Sequence, residues 1–302
     1  MTIVEISGFT KTYGTVMAVR DFSLAVEKGG IIALVGPDGA GKTTIFRGAC
    51  GLITFDSGRI SIAGLDVASE FDKIKSRLGY MPQNFSLYQD LSVEENLDFY
   101  AGLFGAGGDQ LKRKKQVLYD FSGLGPFRRR RAGQLSGGMK QKLSLSCTLV
   151  HNPEVLILDE PTTGVDPVSR QQFWDILKDL RSQGSTLMVS TPYMDEVAMA
   201  DRAVFVYGGK KLGEGTPREL AAQFRGRIYR LRAPLVAGQF DRLAALDGLG
   251  ARRLGPSVYI YPRPDGRIED FAAKMAALGV MPEMLEEVPP TLEDAFIQLM
   301  GK

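Results

Sequence analysis

The segment that most constrains the fold of this chain is a glycine-rich turn between an apolar run, Ile31 to Val35, and a helix-compatible stretch. The turn, called the phosphate loop below, reads Gly36-Pro37-Asp38-Gly39-Ala40-Gly41-Lys42-Thr43-Thr44. Strand, turn and helix together form a cradle for phosphate, because glycines let backbone N–H groups approach the anion and the helix dipole contributes about 0.3–1 kcal/mol. In this pattern the Lys42 ammonium reaches the outer phosphates and the Thr43 hydroxyl holds Mg²⁺. The segment predicts a nucleoside triphosphate site.

Composition indicates an ordinary globular chain. Of its 302 residues 24% are charged and 44% apolar, enough for a core in one large domain or in a main domain with a smaller one. The net charge of +2 argues against a protein built mainly to bind nucleic acid. Cys50 and Cys147 lie among apolar residues, so we expect them in the core rather than in a disulfide or a metal site.

Two features bear on where the chain resides. It contains no run of about 18 or more apolar residues, so no segment is expected to span a bilayer. Residues Met1 to Glu5 lack the basic and then apolar pattern of a secretion signal. We therefore expect a soluble, cytosolic chain.

Apolar patterning up to about residue 225 predicts strands that alternate with helices. The run from Val155 to Leu158 is typical of a strand buried on both faces. A helical period extends from about Val93 to Val150, and a helix is predicted from Ser169 to Arg181. Further strands are predicted at 3–9, 21–26, 31–35, 58–65, 186–190 and 203–206. This order predicts an α/β fold with a mainly parallel, covered sheet.

The pattern changes after about residue 226. Strands are predicted at 227–233, 258–261 and 284–288, and helices at 238–246, 268–278 and 292–300. Together they predict a small α+β module, with a ferredoxin-like arrangement as a candidate. The expected domains are therefore 1–225 and 226–302.

A carboxylate pair follows the buried strand that ends at Leu158. Ligands bind at the carboxyl ends of strands in open α/β sheets, so Asp159 is placed to hold Mg²⁺, directly or through water. Glu160 points differently and is placed to polarise an attacking water as a general base. The alternative is a strand whose two acidic residues only cap a turn.

A third feature is a serine and two glycines at the start of a predicted helix. The segment reads Leu135-Ser136-Gly137-Gly138-Met139-Lys140-Gln141-Lys142. Ser136 is expected to cap the helix, and the glycines expose backbone N–H groups, which gives a second anion-binding helix N-terminus. With the phosphate loop before it and Asp159 after it, the chain resembles ATP-binding cassette (ABC) transporter ATPases over about residues 1–225.

The resemblance implies a P-loop NTPase fold of the ABC ATPase type. Its parts are a RecA-like core, an antiparallel β subdomain and a helical subdomain at about 84–152, followed here by the small C-terminal α+β module as an accessory domain. It also implies two ATPase subunits, each holding ATP between its phosphate loop and the partner's Ser136 segment. The implied ATP contacts in that segment are Leu135, Ser136, Gly137, Gly138 and Gln141.

For three further residues, the resemblance to the family is the only basis for predicting a role. Tyr13 matches the aromatic residue that stacks on adenine, although alone it is a tyrosine in a turn. Gln83 matches the glutamine that reaches Mg²⁺ and the attacking water while sensing the membrane subunit. Asp166 matches a loop that crosses the dimer interface, with a plain helix N-cap as the alternative. The implied catalytic residues are thus Glu160 and Gln83. The implied Mg²⁺ ligands are Thr43, Gln83 and Asp159.

Four segments narrow the resemblance to particular branches of the family. Phe85 to Leu97 and Pro290 to Phe296 are similar to the matching segments of bacterial type-2 exporters, such as drug-resistance and lipid or polysaccharide exporters. Gly36 to Gly39 and Leu124 to Phe127 are similar to a branch in which two unequal ATPase units serve one exporter. The resemblance therefore implies an integral-membrane permease and a second ATPase subunit, alike or different, as partners. It places the chain in the cytoplasm, on the inner face of the plasma membrane.

One position departs from the family pattern. The family places a histidine that contacts the γ-phosphate after the strand that follows the Asp166 loop, and here Pro192 stands there. Proline offers neither a side-chain donor nor a backbone N–H. Loss of one such donor commonly costs about 3–4 kcal/mol, or about 10²–10³ in rate. The sole histidine, His151, is interpreted as a helix-end or core residue. We expect ATP binding with slow hydrolysis, beside a second ATPase with an intact site.

Two other classes of function compete with an exporter subunit. A soluble ABC ATPase acting on ribosomes or DNA usually carries two cassettes or a long coiled-coil insertion, whereas Lys42 and Ser136 are only 94 positions apart. A P-loop kinase or GTPase leaves the Ser136 segment unexplained. The basic runs 112–115 and 128–131 lack interleaved aromatic residues. They indicate a solvated helical face near an anionic membrane rather than a nucleic-acid site.

Overall fold

The computed structural model describes residues 1–232, 238–255, 257–262 and 267–301. The chain divides into two compact units, Met1–Pro217 and Arg218–Lys302. No helix in the described ranges is long and apolar enough to cross a bilayer.

Ten strands and seven helices make up the described first unit. The strands are β1 (Thr2–Tyr13), β2 (Val16–Glu27), β3 (Ile31–Val35), β4 (Ser57–Ile62), β5 (Leu65–Asp66), β6 (Leu78–Met81), β7 (Val155–Asp159), β8 (Thr186–Thr191), β9 (Arg202–Tyr207) and β10 (Lys210–Gly215). The helices are α1 (Lys42–Ala49), α2 (Phe71–Ile74), α3 (Val93–Leu103), α4 (Gly108–Ser122), α5 (Gly137–Thr148), α6 (Pro167–Ser182) and α7 (Met194–Val197). Short 3₁₀ turns cover 125–127 and 132–134.

A six-stranded sheet forms the centre of this unit, in the order β10-β9-β3-β8-β7-β6. The five strands from β9 to β6 are parallel, and β10 is antiparallel to β9. All residues of β3 and β7 are buried, which explains their uninterrupted apolar runs. The predicted mainly parallel sheet is confirmed.

A second, antiparallel sheet has the order β2-β1-β4-β5. The strand predicted at 58–65 is shorter than expected and ends at Ile62. The chain turns there through Ala63 and Gly64, which have φ values of 51° and 79° in the left-handed region. Cys50 and Cys147 are buried and free, as predicted for core residues.

The region predicted to follow a helical period contains α3, α4 and α5. Helix α3 begins at a capping box in which the Ser92 hydroxyl accepts from the Glu95 N–H and the Glu95 carboxylate accepts from the Ser92 N–H. Helix α4 ends at Gly123, whose φ of 69° places it in the left-handed conformation that favours glycine.

The second unit is a small α+β module with its own core. Helix α8 (Pro217–Ala221) lies at the division between the units. The module's further elements are β11 (Ile228–Leu231), α9 (Gln239–Ala244), β12 (Leu249–Leu254), β13 (Ser257–Pro262), a 3₁₀ turn (Ile268–Phe271), α10 (Ala272–Ala276), a second 3₁₀ turn (Pro282–Met284), β14 (Leu285–Val288) and α11 (Leu292–Met300). The sheet order is β12-β13-β11-β14, and all neighbours are antiparallel. This β-α-β-β-α-β order matches the ferredoxin-like candidate.

The structure differs from the predicted module at three points. The sequence analysis missed β12, because Gly250 and the arginines at 252 and 253 interrupt any apolar alternation. The helix predicted at 268–278 is instead a 3₁₀ turn followed by the short α10. The predicted strand at 227–233 ends at Leu231 among the described residues, and its last residue, Ala233, lies outside them.

Candidate nucleotide site

The phosphate loop connects β3 to α1 at the carboxyl edge of the main sheet. Gly36 fits there because a Cβ at this position would lie 2.1 Å from the Val206 carbonyl oxygen. Gly41 precedes α1 with φ 104°, a left-handed conformation that favours glycine. The loop lines a cleft of about 300 Å³. The residues that line this cleft are Tyr13, Ala18, Asp38, Gly39, Ala40, Gly41, Lys42, Thr43, Thr44, Gln83 and Glu160.

The Lys42 side chain is buried and already has three partners. Its Nζ donates to the carbonyl oxygens of Gly36 and Pro37 at 2.7 and 3.1 Å, and lies 3.1 Å from Glu160 Oε1. The two side chains of this ion pair are only 3% and 5% exposed. Loss of one partner from such a buried pair is strongly destabilising. A phosphate that takes the Lys42 ammonium therefore competes with Glu160.

Glu160 is the point at which several cleft residues meet. Its Oε2 accepts from Gln83 Nε2 at 2.9 Å and from Thr163 Oγ1 at 3.2 Å. The residue has a φ of 46°, a left-handed conformation that costs a non-glycine residue about 1–3 kcal/mol and is found mostly at functional sites. The structure thus brings two residues with predicted catalytic roles, Glu160 and Gln83, into direct contact.

Asp159 lies at the end of β7 and is fully buried. Its Oδ1 accepts from Ser190 Oγ at 2.6 Å, while its Oδ2 has no hydrogen-bond partner among the described residues. Burial raises the pKa of Asp159, and the hydroxyls of Ser190 and Thr43 oppose that shift. An unpartnered carboxylate oxygen near a hydroxyl is the kind of oxygen donor set that Mg²⁺ prefers, so Asp159 and Thr43 fit this ion.

The Ser136 segment forms the start of α5. Ser136 Oγ accepts from the Met139 N–H at 3.4 Å, as the capping pattern predicts. A Cβ on Gly138 would lie 2.8 Å from Ser169 Cβ, so this glycine allows α5 to approach α6 closely. Asp166 caps α6 by accepting from the Ser169 N–H at 2.9 Å, and hydrogen bonding from Ser169 lowers the pKa of Asp166.

The predicted ATP contacts therefore form two groups in the structure. Ser136, Gly138 and Asp166 lie together around the start of α6, and none of them is among the described residues that line the cleft. In the same segment Leu135 is buried and Gln141 is half-buried. Tyr13 and Gln83 line the cleft with the phosphate loop.

A buried carboxylate anchors the loop after β8. Glu196 accepts from Thr162 Oγ1 at 2.6 Å and from Thr191 Oγ1 at 2.5 Å, and burial raises its pKa. The Arg170 guanidinium lies 4.4 Å from the centre of the Tyr193 ring. Pro192, in this loop, is not among the described residues that line the cleft.

Comparison with known proteins identifies the family. The model of the ABC transporter family, ABC_tran, matches residues 19–163. The chain is 32% identical over 310 residues to the Nod factor export ATP-binding protein I of Rhizobium etli, covering 100% of this chain and 94% of that protein. The chain belongs to the ABC transporter family.

Two further comparisons also match ABC transporter proteins. This ABC chain is 38% identical over 305 residues to the probable multidrug ABC transporter ATP-binding protein YbhF of Escherichia coli strain K12. The match covers 99% of the chain and 52% of YbhF, so the chain spans about half the length of that relative. A solved structure of cbiO1 from Clostridium perfringens, part of the ABC transporter complex cbiONQ, has a TM-score of 0.68 and 25% identity. It covers 73% of this chain and 91% of cbiO1.

These comparisons confirm the predicted ABC ATPase fold and the ATPase class. The relatives carry transport or export names, which gives no support to a ribosome or DNA ATPase. A P-loop kinase or GTPase is excluded by the family.

His151 lies just past the end of α5, half-buried, as the sequence predicted. Its ring stacks on Phe104 with centroids 3.7 Å apart, and its Nε2 lies 3.1 Å from the Leu78 carbonyl oxygen. Burial lowers the pKa of His151. The ring is not among the described residues of the cleft, so it does not replace the histidine missing at position 192.

Sequence reasoning missed several residues that shape the ABC site. Thr163 and Ser190 hold the two carboxylates, and Glu196 ties the loop after β8 to Thr162. A signal for Ser190 exists, because it is a polar residue that directly follows the apolar run Leu187 to Val189 on the strand that pairs with β7. The Lys42–Glu160 ion pair has no such signal, since the sequence alone places Lys42 toward the phosphates.

Proposed function

We propose that this chain is the ATP-binding subunit of a bacterial exporter and couples ATP binding and hydrolysis to transport by a membrane permease. The main observation in support is that the Glu160 carboxylate forms an ion pair with Lys42 and accepts a hydrogen bond from Gln83. Lys42 belongs to the predicted phosphate loop, and Gln83 lies two residues before the segment Phe85 to Leu97 that resembles the exporter subunits. Because both side chains contact Glu160, a displacement of Lys42 changes the position of Gln83, and a displacement of Gln83 changes the position of Lys42.

The contacts suggest an order of events at the site. When the ATP phosphates draw Lys42 away, Glu160 loses its cationic partner and its Oε1 becomes available to take a proton from water. Gln83 and Thr163 continue to hold Oε2, which keeps the carboxylate oriented. We propose that Thr43 and Asp159 hold Mg²⁺, which supplies positive charge to the phosphate oxygens when bound.

A second ATPase subunit completes the proposed site. The start of α5 and the Asp166 loop lie side by side, outside the cleft of their own chain. The exposed N–H groups of a helix N-terminus favour an anion such as a phosphate. We place this surface against the ATP held by the partner's phosphate loop, whether the partner is an identical or a different chain.

Hydrolysis at this chain's own cleft is proposed to be slow. Pro192 offers no donor where the family pattern has a histidine, and the sole histidine, His151, is stacked on Phe104 instead. The chain would then bind ATP and help to close the pair of subunits, while a second ATPase with an intact site supplies most of the turnover.

The permease is proposed to contact the aromatic surface formed by Tyr88 and Phe99. These side chains are 49% and 39% exposed and meet edge to face with centroids 4.7 Å apart. Tyr88 follows Gln83 by only five residues, and Gln83 lines the cleft. A permease contact at Tyr88 would therefore be transmitted to the cleft through this short segment. The subunit would act at the cytoplasmic face of the plasma membrane.

Co-expression with a candidate membrane permease tests the exporter proposal. We expect the chain in the membrane fraction only when the permease is present, and Tyr88→Asp should release it. Met281→Asp provides the control, because Met281 is 43% exposed and belongs to the second unit. Membrane recovery without any permease would contradict the proposal, as would sedimentation with ribosomes in its presence.

A further inference from the structure

A buried hydroxyl joins the two carboxyl residues at the end of β7. Ser190 is fully buried on β8 and lies opposite Asp159 in the parallel register. Its Oγ donates to Asp159 Oδ1 at 2.6 Å and accepts from the Glu160 N–H at 2.8 Å. One side chain therefore contacts the carboxylate of the first residue and the backbone of the second.

The direction of these bonds determines which oxygen of Asp159 stays free. A serine hydroxyl has a single proton, and here that proton goes to Asp159 Oδ1. In the described part of the chain, Oδ2 has no hydrogen-bond partner although it is buried. Because a buried polar atom without a partner is costly, a cation ligand is the natural use of this oxygen. Ser190 thus fixes the rotation of the carboxylate that leaves Oδ2 available.

The second bond supports the backbone of Glu160. This residue is held at φ 46°, and its buried N–H is satisfied by Ser190. From that backbone position the side chain reaches Lys42 and Gln83. Without the Ser190 oxygen, the strained conformation would also carry an unsatisfied N–H.

We propose that Ser190 is a positioning residue of the ATPase site, which orients Asp159 toward Mg²⁺ and holds the Glu160 backbone. The inference rests on the proposed Mg²⁺ site but not on the exporter role. It assigns Ser190 an action through Asp159 and Glu160 rather than a contact with ATP. Partners that orient metal ligands in this way typically change metal affinity by about 10–100-fold when they are removed.

Binding of a fluorescent ATP analogue, with and without Mg²⁺, tests the proposal without relying on turnover. For Ser190→Ala we expect an unchanged Kd in EDTA, while the tightening produced by Mg²⁺ falls about tenfold or more. Ser190→Thr keeps a hydroxyl and should retain most of the tightening. Ser122→Ala is the matched control, because Ser122 is also buried, donates to the Leu118 carbonyl at 2.6 Å and accepts from the Leu124 N–H at 3.3 Å.

A double-mutant cycle with Asp159→Ala separates the possible outcomes. If Ser190 acts through Asp159, Asp159→Ala abolishes the Mg²⁺ tightening and adding Ser190→Ala changes it no further. An equal loss for Ser190→Ala with and without Mg²⁺ would assign Ser190 a general structural role and overturn the proposal. Intact tightening in Ser190→Ala, with tightening lost in Asp159→Ala, would overturn the role of Ser190 alone. Intact tightening in Asp159→Ala would overturn the Mg²⁺ site and this inference with it.

Discussion

The ends of β7 and β8 are neighbours in one sheet, yet they are equipped very differently. After β7, the Glu160 carboxylate is paired with Lys42, Gln83 and Thr163. After β8, the chain continues through Thr191 into Pro192, which has no donor to offer. In the proposed mechanism the β7 end supplies the general base, whereas the β8 end lacks the side-chain donor that would stabilise negative charge developing on the phosphate.

The loop after β8 is nevertheless firmly anchored. Glu196 is fully buried and accepts from two threonine hydroxyls, and Arg170 lies over the Tyr193 ring. These contacts hold the loop on its own side of the sheet without placing a donor in the cleft. The loop after β8 is therefore well anchored, although its proline at position 192 has no side-chain donor.

The largest expected effect is on the β7 side. Glu160→Gln keeps the size of the side chain but removes the proposed general base, so hydrolysis should fall by about 10²–10⁴. ATP binding should persist. Rapid-quench measurement of a single turnover checks this, with Glu154→Gln as a control at a partly exposed carboxylate paired with Lys28. Full activity in Glu160→Gln would show that Glu160 is not the general base.

The β8 side should respond in the opposite direction. Pro192→His restores a side-chain donor, and hydrolysis should rise by up to about 10²–10³ because one donor to developing negative charge is commonly worth that much. Steady-state phosphate release measures the change. Pro192→Ala serves as the control, since it removes the proline without adding a side-chain donor and should stay near the wild-type rate. Equal rates for all three proteins would remove the proposed contrast between the two strand ends.

A smaller effect is expected on binding. Lys42→Met removes a charged donor whose hydrogen bonds are worth about 1.5–3 kcal/mol, so ATP affinity should fall by about 10–100-fold. The same change leaves Glu160 buried without its cation, and the melting temperature should drop as well. Calorimetric titration and thermal unfolding report the two effects separately. Unchanged affinity would mean that Lys42 stays on Glu160 when ATP binds.

The smallest effect belongs to the rim of the cleft. Tyr13 is 44% exposed, so Tyr13→Ala should cost only about 1 kcal/mol of adenine stacking, or about fivefold in ATP affinity. Tyr13→Phe keeps the ring and should bind normally. An equal loss for both variants would assign the effect to the hydroxyl and exclude stacking.

The local parts of the site follow from the sequence. The five apolar residues of β3, the glycines of the phosphate loop and the capping serine of α5 are short-range signals, and the structure shows each element where it was expected. Likewise, Asp159 follows an apolar run and ends a buried strand. These features depend on residues close together in the chain.

The remaining features depend on which strands become neighbours. Ser190 reaches Asp159 only because β7 and β8 pair in parallel with those residues in register. The Lys42–Glu160 ion pair joins residues far apart in the chain, and its geometry reflects the strained backbone at Glu160. Strand β12 was missed for a local reason, since its arginines and Gly250 hide the alternation. Register and strain are set by the whole sheet, so neither can be read from one segment.

ATP binding and turnover should be measured on one preparation of the unmodified chain, because the proposal is that this chain binds ATP well but hydrolyses it slowly. We expect saturable ATP binding that Mg²⁺ strengthens, together with turnover at or below about 0.1 s⁻¹, roughly 10²-fold under a typical enzyme rate. Binding with turnover of about 10 s⁻¹ would contradict it, because Pro192 would then cost the site nothing. Absence of ATP binding would also contradict the proposal, because the cleft would then not be a nucleotide site.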